Sequence, residues 1–147
     1  MSFSMNIKKL NDNARVPTYG SEFSAGADLY ACESADVIIE PGQTKLIHTC
    51  LTMEIPTGLV GLIYARSGLA SKKGLAPANK VGVIDSDYRG EIMVAPHNHG
   101  SEPQTIADGE RIAQIVFAPF YAADFNVVDE LDSTARGAGG FGSTGSK

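Results

Sequence analysis

An all-β fold, a β-sandwich or jelly roll with one short helix, is what this sequence predicts, and three observations carry the prediction. The apolar stretches are short, rich in β-branched residues and closed off by glycine, proline or aspartate. Turn signals recur about every ten residues. Strand-like segments do not alternate with long helices, and no internal repeat is present. With 147 residues, the chain makes one domain whose core needs no staple.

Taken in order, Ala25-Gly26-Ala27-Asp28-Leu29-Tyr30-Ala31 sets one carboxylate inside an otherwise apolar strand. Asp28 either faces solvent on the alternation or turns inward; inward, it must be paired or near a metal, because an isolated buried charge is very costly. Val37-Ile38-Ile39 runs to a turn at Pro41-Gly42. Next, Ile47, Thr49, Leu51, Met53 and Ile55 share one face by period-two alternation, with Lys45 at the entry, which predicts a long half-buried strand ending at Pro56. Leu59 to Tyr64 is apolar on both faces and belongs between two layers or at a subunit contact.

Ser67 to Lys73 is the best helix candidate, with Ser67 as N-cap and Gly74 as the stop. Arg66 and Ser67 then aim a guanidinium, a hydroxyl and helix-terminal N–H groups at one point, an arrangement suited to phosphate, although an ordinary cap beside a surface arginine fits equally. Asn79 through Gly90 reads as two β arms about an Asp85-Ser86-Asp87-Tyr88 turn, gathering an amide, two carboxylates and a ring. His97-Asn98-His99 lacks acidic or cysteine partners at ligand spacing and reads as a strand end. Arg111 to Phe117 fits helix or strand; its β-branched content and the preceding Asp108-Gly109 favour a strand, which puts Gln114 in an apolar run where a buried amide needs a partner or a ligand.

After Val128 the chain turns acidic and then glycine-rich, so the core should end near Leu131. The β domain therefore covers residues 1–132, and residues 133–147 form a mobile arm. That arm joins Arg136, a run of glycines, Phe141, Gly142, Ser143 and Thr144, which is phosphate-binding chemistry with a base-stacking ring inside it. A P-loop is excluded, since Ser143 stands where the lysine belongs and too few residues follow Thr144 for a helix. Ordering about ten such residues costs on the order of 10–20 kcal/mol of backbone entropy, so the arm should order only when a charged ligand arrives.

Hydrophobic content of 43% and charged content of 20% place the chain among soluble globular proteins. The net charge of −5 disfavours a nucleic-acid surface, and no apolar run is long enough to cross a membrane. An anionic ligand must then be met by local cations, and Arg66 and Arg136 stand in glycine- and serine-containing segments. Cys32 and Cys50 have no metal spacing and read as reduced, buried thiols; with no secretory signal evident, a cytoplasmic location is expected, and a nuclear one stays open.

Taken together and in this order, five segments resemble the trimeric dUTP pyrophosphatase family. They are Ala25 to Leu29, Arg66 to Ala70, Asn79 to Gly90, Gly109 to Gln114, and the tail from Arg136 to Gly145. One departure is Ala65, where the family usually has proline.

The resemblance implies a distorted jelly-roll, β-clip-like barrel that forms a homotrimer, with active sites between subunits and a flexible C-terminal arm closing over them. It implies hydrolysis of dUTP to dUMP and pyrophosphate with Mg²⁺ as cofactor. Asp85 would activate the attacking water as general base; because a carboxylate is a weak base, geometry must supply much of the activation. Asp28 would face the magnesium through its water shell. Arg66, Ser67, Gly68 and Gln114 would contact phosphates, joined by Arg136, Gly142, Ser143 and Thr144 when the arm closes. Asn79, Gly82 and Val83 would pair with the uracil edge, Tyr88 would pack on deoxyribose where a 2′-OH collides, and Phe141 would stack on the base for roughly 1–3 kcal/mol. Rival readings are a dCTP deaminase-like enzyme and a non-catalytic nucleotide-binding protein on the same fold. The Asp85-to-Tyr88 turn and the glycine-rich tail favour dUTP hydrolysis.

Overall fold

Residues 3–140 are described in the computed structural model, so Phe141, Gly142, Ser143 and Thr144 lie outside the described residues. The chain runs β1 (Asn6–Lys9), β2 (Thr18–Tyr19), β3 (Ala27–Tyr30), β4 (Val37–Ile39), β5 (Ile47–His48), β6 (Leu51–Glu54), β7 (Leu59–Tyr64) and α1 (Ser67–Lys73). It continues with β8 (Leu75–Pro77), β9 (Gly82–Ile84), β10 (Met93–Val94), β11 (Pro96–Asn98), β12 (Gln104–Ile106) and β13 (Arg111–Pro119). One antiparallel sheet has the order β2-β3-β13-β7-β9. The remaining strands pair in twos, β1 with β6, β10 with β5, β11 with β8 and β12 with β4, giving a jelly-roll-like arrangement of unclosed sheets. One core joins the two sets: Leu29, Ile63 and Ile115 from the large sheet pack in the same cluster as Ile39, Ile47, Leu51, Val94 and Ile106 from the ribbons.

The strand expected from Lys45 to Ile55 is two strands. Its alternation holds, since Ile47, Thr49, Leu51, Met53 and Ile55 are all buried. The ladder breaks at Cys50, which adopts φ 54° and donates its N–H to Glu91 Oε1 at 2.8 Å instead of to a strand partner. Lys45 stays exposed.

The helix forms where expected, but its N-cap is Arg66 rather than Ser67. Arg66 keeps extended backbone (φ −85°, ψ 132°) while its side chain reaches across to Asp28 in β3, so helical geometry begins one residue later. Gly74 ends the helix at φ 64°, donating its N–H to the Leu69 carbonyl. A Cβ there would stand 2.8 Å from the backbone N of Gly100, so both conformation and space require glycine.

β7 lies between β13 and β9. Gly61 and Ile63 turn to the core, whereas Val60 and Leu62 are half-buried on the other face. Leu62 stands opposite Val116 on one side and Val83 on the other, so an apolar row crosses three strands of the outer face. Of the two arms expected about the Asp85 turn, only β9 forms. The turn is closed by the Tyr88 N–H on the Asp85 carbonyl at 3.2 Å, but the following strand, β10, pairs with β5.

Burial ends earlier than Leu131. Ile115 is the last core residue, Phe117 packs against the core, and Tyr121, Phe125, Val127 and Leu131 are exposed. β13 pairs with β3 as far as Ile115 and with β7 as far as Pro119, and no strand follows it among the described residues.

Both cysteines are free; Cys32 is buried and Cys50 half-buried. Burial, and then the neighbouring Cys32, push the Cys50 thiol up to about 12, so it stays protonated at neutral pH. His97 shares a hydrogen bond with Thr44 Oγ1 at 2.8 Å within the β11 region, consistent with a strand end. Among the described residues no three His, Cys, Asp or Glu side chains gather as a metal site.

Candidate active site

Register builds the first cleft. Asp28 of β3, Gln114 of β13 and Tyr64 of β7 stand opposite one another in one row across three strands, and α1 begins shortly after Tyr64. Asp28, Arg66, Ser67, Gly68, Arg111 and Gln114 line an open cleft of about 660 Å³. Arg66 Nε donates to Asp28 Oδ1 at 2.7 Å and Arg111 Nη1 to Oδ2 at 3.2 Å. One largely buried carboxylate thus holds two guanidiniums, and the cleft keeps an excess positive charge inside an acidic chain. Gln114 Nε2 donates to the Ala65 carbonyl at 2.9 Å, tying β13 to the turn that leads into the helix. Gly26 makes room for this amide, because a Cβ there would lie 2.3 Å from Gln114 Oε1.

Arg111 was not among the residues singled out from sequence. It precedes a register shift between Arg111 and Ala113, so simple alternation does not place its side chain beside Asp28. Its signal was present in one form: a cation in the same segment as Gln114.

A second groove, of about 230 Å³, is lined by Leu46, Val83, Asp85, Tyr88, Glu91 and Met93 among others. β9 is the last strand of its sheet, so its outer edge has no strand partner among the described residues. Lys80 adopts φ 65°, and Val81 donates its N–H to the Asn79 carbonyl at 2.7 Å, so the backbone turns tightly just before β9. Asn79 is exposed, and its amide stands near Gly82: a Cβ on Gly82 would be 3.3 Å from Asn79 Nδ2. Tyr88 folds back over Gly90 and donates its hydroxyl to the Glu91 carbonyl at 3.1 Å.

The structure therefore gathers Asp28, Arg66, Ser67, Gly68 and Gln114 in one cleft, and Val83, Asp85 and Tyr88 in another, with Asn79 and Gly82 beside the latter. No residue lines both. Arg136 lines neither; its Nε donates to the Gly139 carbonyl at 2.8 Å within its own segment.

The dUTPase family model matches residues 12–145. A deoxyuridine 5'-triphosphate nucleotidohydrolase of Desulfitobacterium hafniense (strain DSM 10664 / DCB-2) is 56% identical over 132 residues, covering 89% of this chain and 87% of that protein. One from Hahella chejuensis is 47% identical over 141 residues, covering 95% and 93%. Among solved structures, the Staphylococcus bacteriophage 80alpha dUTPase with dUPNHPP superposes with a TM-score of 0.84 at 30% identity, covering 98% of this chain and 99% of that one. The dUTPase from phage phi11 of S. aureus gives 0.79 at 26% identity, covering 90% and 100%. A family match spanning all five sequence segments, with relatives this similar over nearly their full length, makes the chain a member of the dUTPase family.

Proposed function

We propose that this chain hydrolyses dUTP to dUMP and pyrophosphate, keeping uracil out of DNA and supplying dUMP, in active sites assembled between the subunits of a homotrimer. The observation that carries the reading is the division of its polar residues: a cationic cleft built for phosphates and a separate groove on a free strand edge, with no residue in common. A single subunit presents both halves of a nucleotide site apart, and pairing the cleft of one subunit with the groove of another completes it. The apolar row through Val83, Leu62 and Val116, and the exposed Phe125, Val127 and Leu131, supply surfaces for such an assembly.

In this reading the outer edge of β9 offers the Gly82 and Val83 backbone to the uracil edge as a neighbouring strand would, with Asn79 beside it. Cytosine presents a donor where uracil presents an acceptor, and such mismatches discriminate by about 10⁴–10⁵ when site groups are left unpaired. Tyr88 occupies the space a ribose 2′-OH would need. Arg66, Arg111, Ser67 and Gln114 hold the phosphate chain, and Asp85 positions water for attack on the α-phosphorus and accepts its proton. The arm residues Arg136, Phe141, Gly142, Ser143 and Thr144 close over the bound nucleotide.

Family membership implies a divalent metal in general; in this reading the ion is Mg²⁺ and arrives with the triphosphate, since both Asp28 oxygens already accept from guanidiniums. Asp28 is one hard oxygen donor with no second acidic side chain gathered beside it among the described residues. That donor set fits an ion held chiefly by the triphosphate, with Asp28 facing its water shell. Bound there, magnesium would supply charge stabilisation for displacement at phosphorus. No helix of the described residues is long and apolar enough to cross a membrane, and the bacterial relatives are in keeping with a cytoplasmic enzyme.

The test is product analysis after incubating the protein and Mg²⁺ with dUTP, dCTP, dTTP and UTP separately, with the oligomer read by sedimentation. Pyrophosphate and dUMP from dUTP alone, by a trimer, is the expected result. Ammonia from dCTP, or no product from any nucleotide, would overturn the reading.

A further inference from the structure

At the second groove, one residue ties together two distant stretches of chain, 48–50 and 88–91. Glu91 Oε2 receives the His48 ring Nδ1 at 2.9 Å, and Oε1 receives the Cys50 N–H at 2.8 Å. The first donor ends β5 and the second stands in the break before β6, where Cys50 takes its left-handed backbone. The carbonyl of the same Glu91 receives the Tyr88 hydroxyl at 3.1 Å. Flanking bonds repeat the connection: Thr52 Oγ1 donates to the Arg89 carbonyl at 2.9 Å, and the Ile92 N–H to the Leu51 carbonyl at 2.8 Å.

Both carboxylate oxygens of Glu91 are thus engaged by protein donors, yet the residue lines the groove together with Tyr88, Val83 and Asp85. An anion at that place repels a triphosphate, so its value lies in what it holds still. Two groups facing it carry or gain charge. Glu33 accepts the His48 backbone N–H at 2.8 Å, and the His48 imidazole itself has its affinity for a proton raised, chiefly by the bond to Glu91, with burial the next effect and opposing it, and the charges of Glu91 and Glu33 adding to the rise. The Cys50 thiol remains neutral.

We propose that Glu91 is a positioning and specificity-determining residue: its carboxylate, fastened by His48 and the Cys50 N–H, fixes where the Tyr88 ring stands and so how well deoxyribose is separated from ribose. The proposal rests on the reading of this groove as the nucleoside site. It carries a pH dependence with a definite sign. The His48–Glu91 contact is an ion pair while the imidazole is protonated, and as pH rises through the raised value it weakens to a neutral N–H donor on a carboxylate. Nucleotide affinity therefore falls with rising pH in that window.

The test uses the full-length protein and measures binding of α,β-imido-dUTP and α,β-imido-UTP by calorimetry between pH 6 and 9, beside turnover of dUTP. In Glu91→Gln the affinity for the deoxy probe should fall about tenfold, the size expected for losing one hydrogen bond to a charged group, and the deoxy-to-ribo preference should shrink with it. At saturating dUTP, kcat should stay within about threefold. His48→Gln, on a side chain 49% exposed that can change without disturbing the core, should show a smaller loss and a flat pH profile. Unchanged affinity and unchanged deoxy-to-ribo preference in Glu91→Gln would overturn the role. So would a wild-type pH profile in His48→Gln, which decides the matter if Glu91→Gln does not fold. Binding of the deoxy probe without dUTP turnover would instead overturn hydrolysis and leave Glu91 in place.

Discussion

Gly26→Ala separates what holds the fold from what holds the phosphate. The added Cβ would stand 2.3 Å from Gln114 Oε1, 3.0 Å from its Cδ and 3.2 Å from its Cβ. Carbon and oxygen rest about 3.2 Å or more apart, so the amide must retreat by roughly 1 Å. What retreats furthest is the end of a flexible side chain, while the Gln114 Cβ has to give by only a few tenths of an ångström, and the retreat breaks the 2.9 Å bond to the Ala65 carbonyl. The loss to stability is then about that of one neutral hydrogen bond, on the order of 1 kcal/mol, or a fall in Tm of roughly 2–6 °C. The loss to catalysis is larger, because a displacement of about 1 Å in a positioned group costs on the order of 100-fold, or about 2.7 kcal/mol. Thermal unfolding followed by circular dichroism gives the first quantity, and steady-state pyrophosphate release gives the second. A kcat/KM within threefold of wild type, beside an intact fold, would refute the placement of Gln114 on the phosphates. A Tm lowered by more than about 10 °C would refute the claim that the flexible end takes most of the movement.

Other perturbations read different parts of the site. Asp85→Asn should fold with an unchanged circular dichroism spectrum and lose nearly all turnover, and near-normal turnover would remove Asp85 from the mechanism. Asp28→Asn leaves Arg66 and Arg111 without their shared anion; a stability loss of about 1–3 kcal/mol in urea, with severely reduced kcat/KM, is expected, and wild-type kinetics would refute its role. Gly74→Ala combines a φ of 64° with a Cβ 2.8 Å from a backbone nitrogen, so its denaturation midpoint should fall by the equivalent of more than about 1 kcal/mol, while a neutral result would contradict the cap geometry. Truncation after Thr134 should leave the trimer intact by sedimentation and abolish most hydrolysis; full activity would exclude the arm from the site.

The parts of the fold that sequence made legible are those set by local periodicity. Ile47, Thr49, Leu51, Met53 and Ile55 alternate in the sequence and are all buried, and β13 forms where β-branched residues follow a turn. What stayed hidden depends on contacts between distant segments. Nothing local marks Cys50 for a positive φ, since a thiol residue has no preference for it; the Glu91 carboxylate, 41 residues later, supplies its partner. The N-cap moved from Ser67 to Arg66 because Arg66 is tied to Asp28, a pairing that the intervening chain conceals. Arg111 was missed for the related reason that a register shift defeats counting by twos.

An acidic chain that acts on an acidic nucleotide must concentrate its cations without letting them collapse onto its own carboxylates. Five arginines face seventeen acidic side chains. In the cleft, one aspartate holds two arginines through different oxygens, so each guanidinium is oriented while neither is fully neutralised. Bidentate capture by Asp28 of either arginine alone would have left the other to seek a surface carboxylate and the cleft with no excess charge. Under the proposed function the shared arrangement keeps donors aimed at the phosphate position before a ligand arrives, so little reorganisation is needed at the moment of reaction. Under the proposed function Asp28 has two tasks in one place, orienting the cations and facing the metal. The two tasks can be separated: if Asp28→Glu restores Tm and not turnover, the carboxylate's reach toward the metal is the stricter requirement, whereas joint recovery would make cation placement the whole of its role.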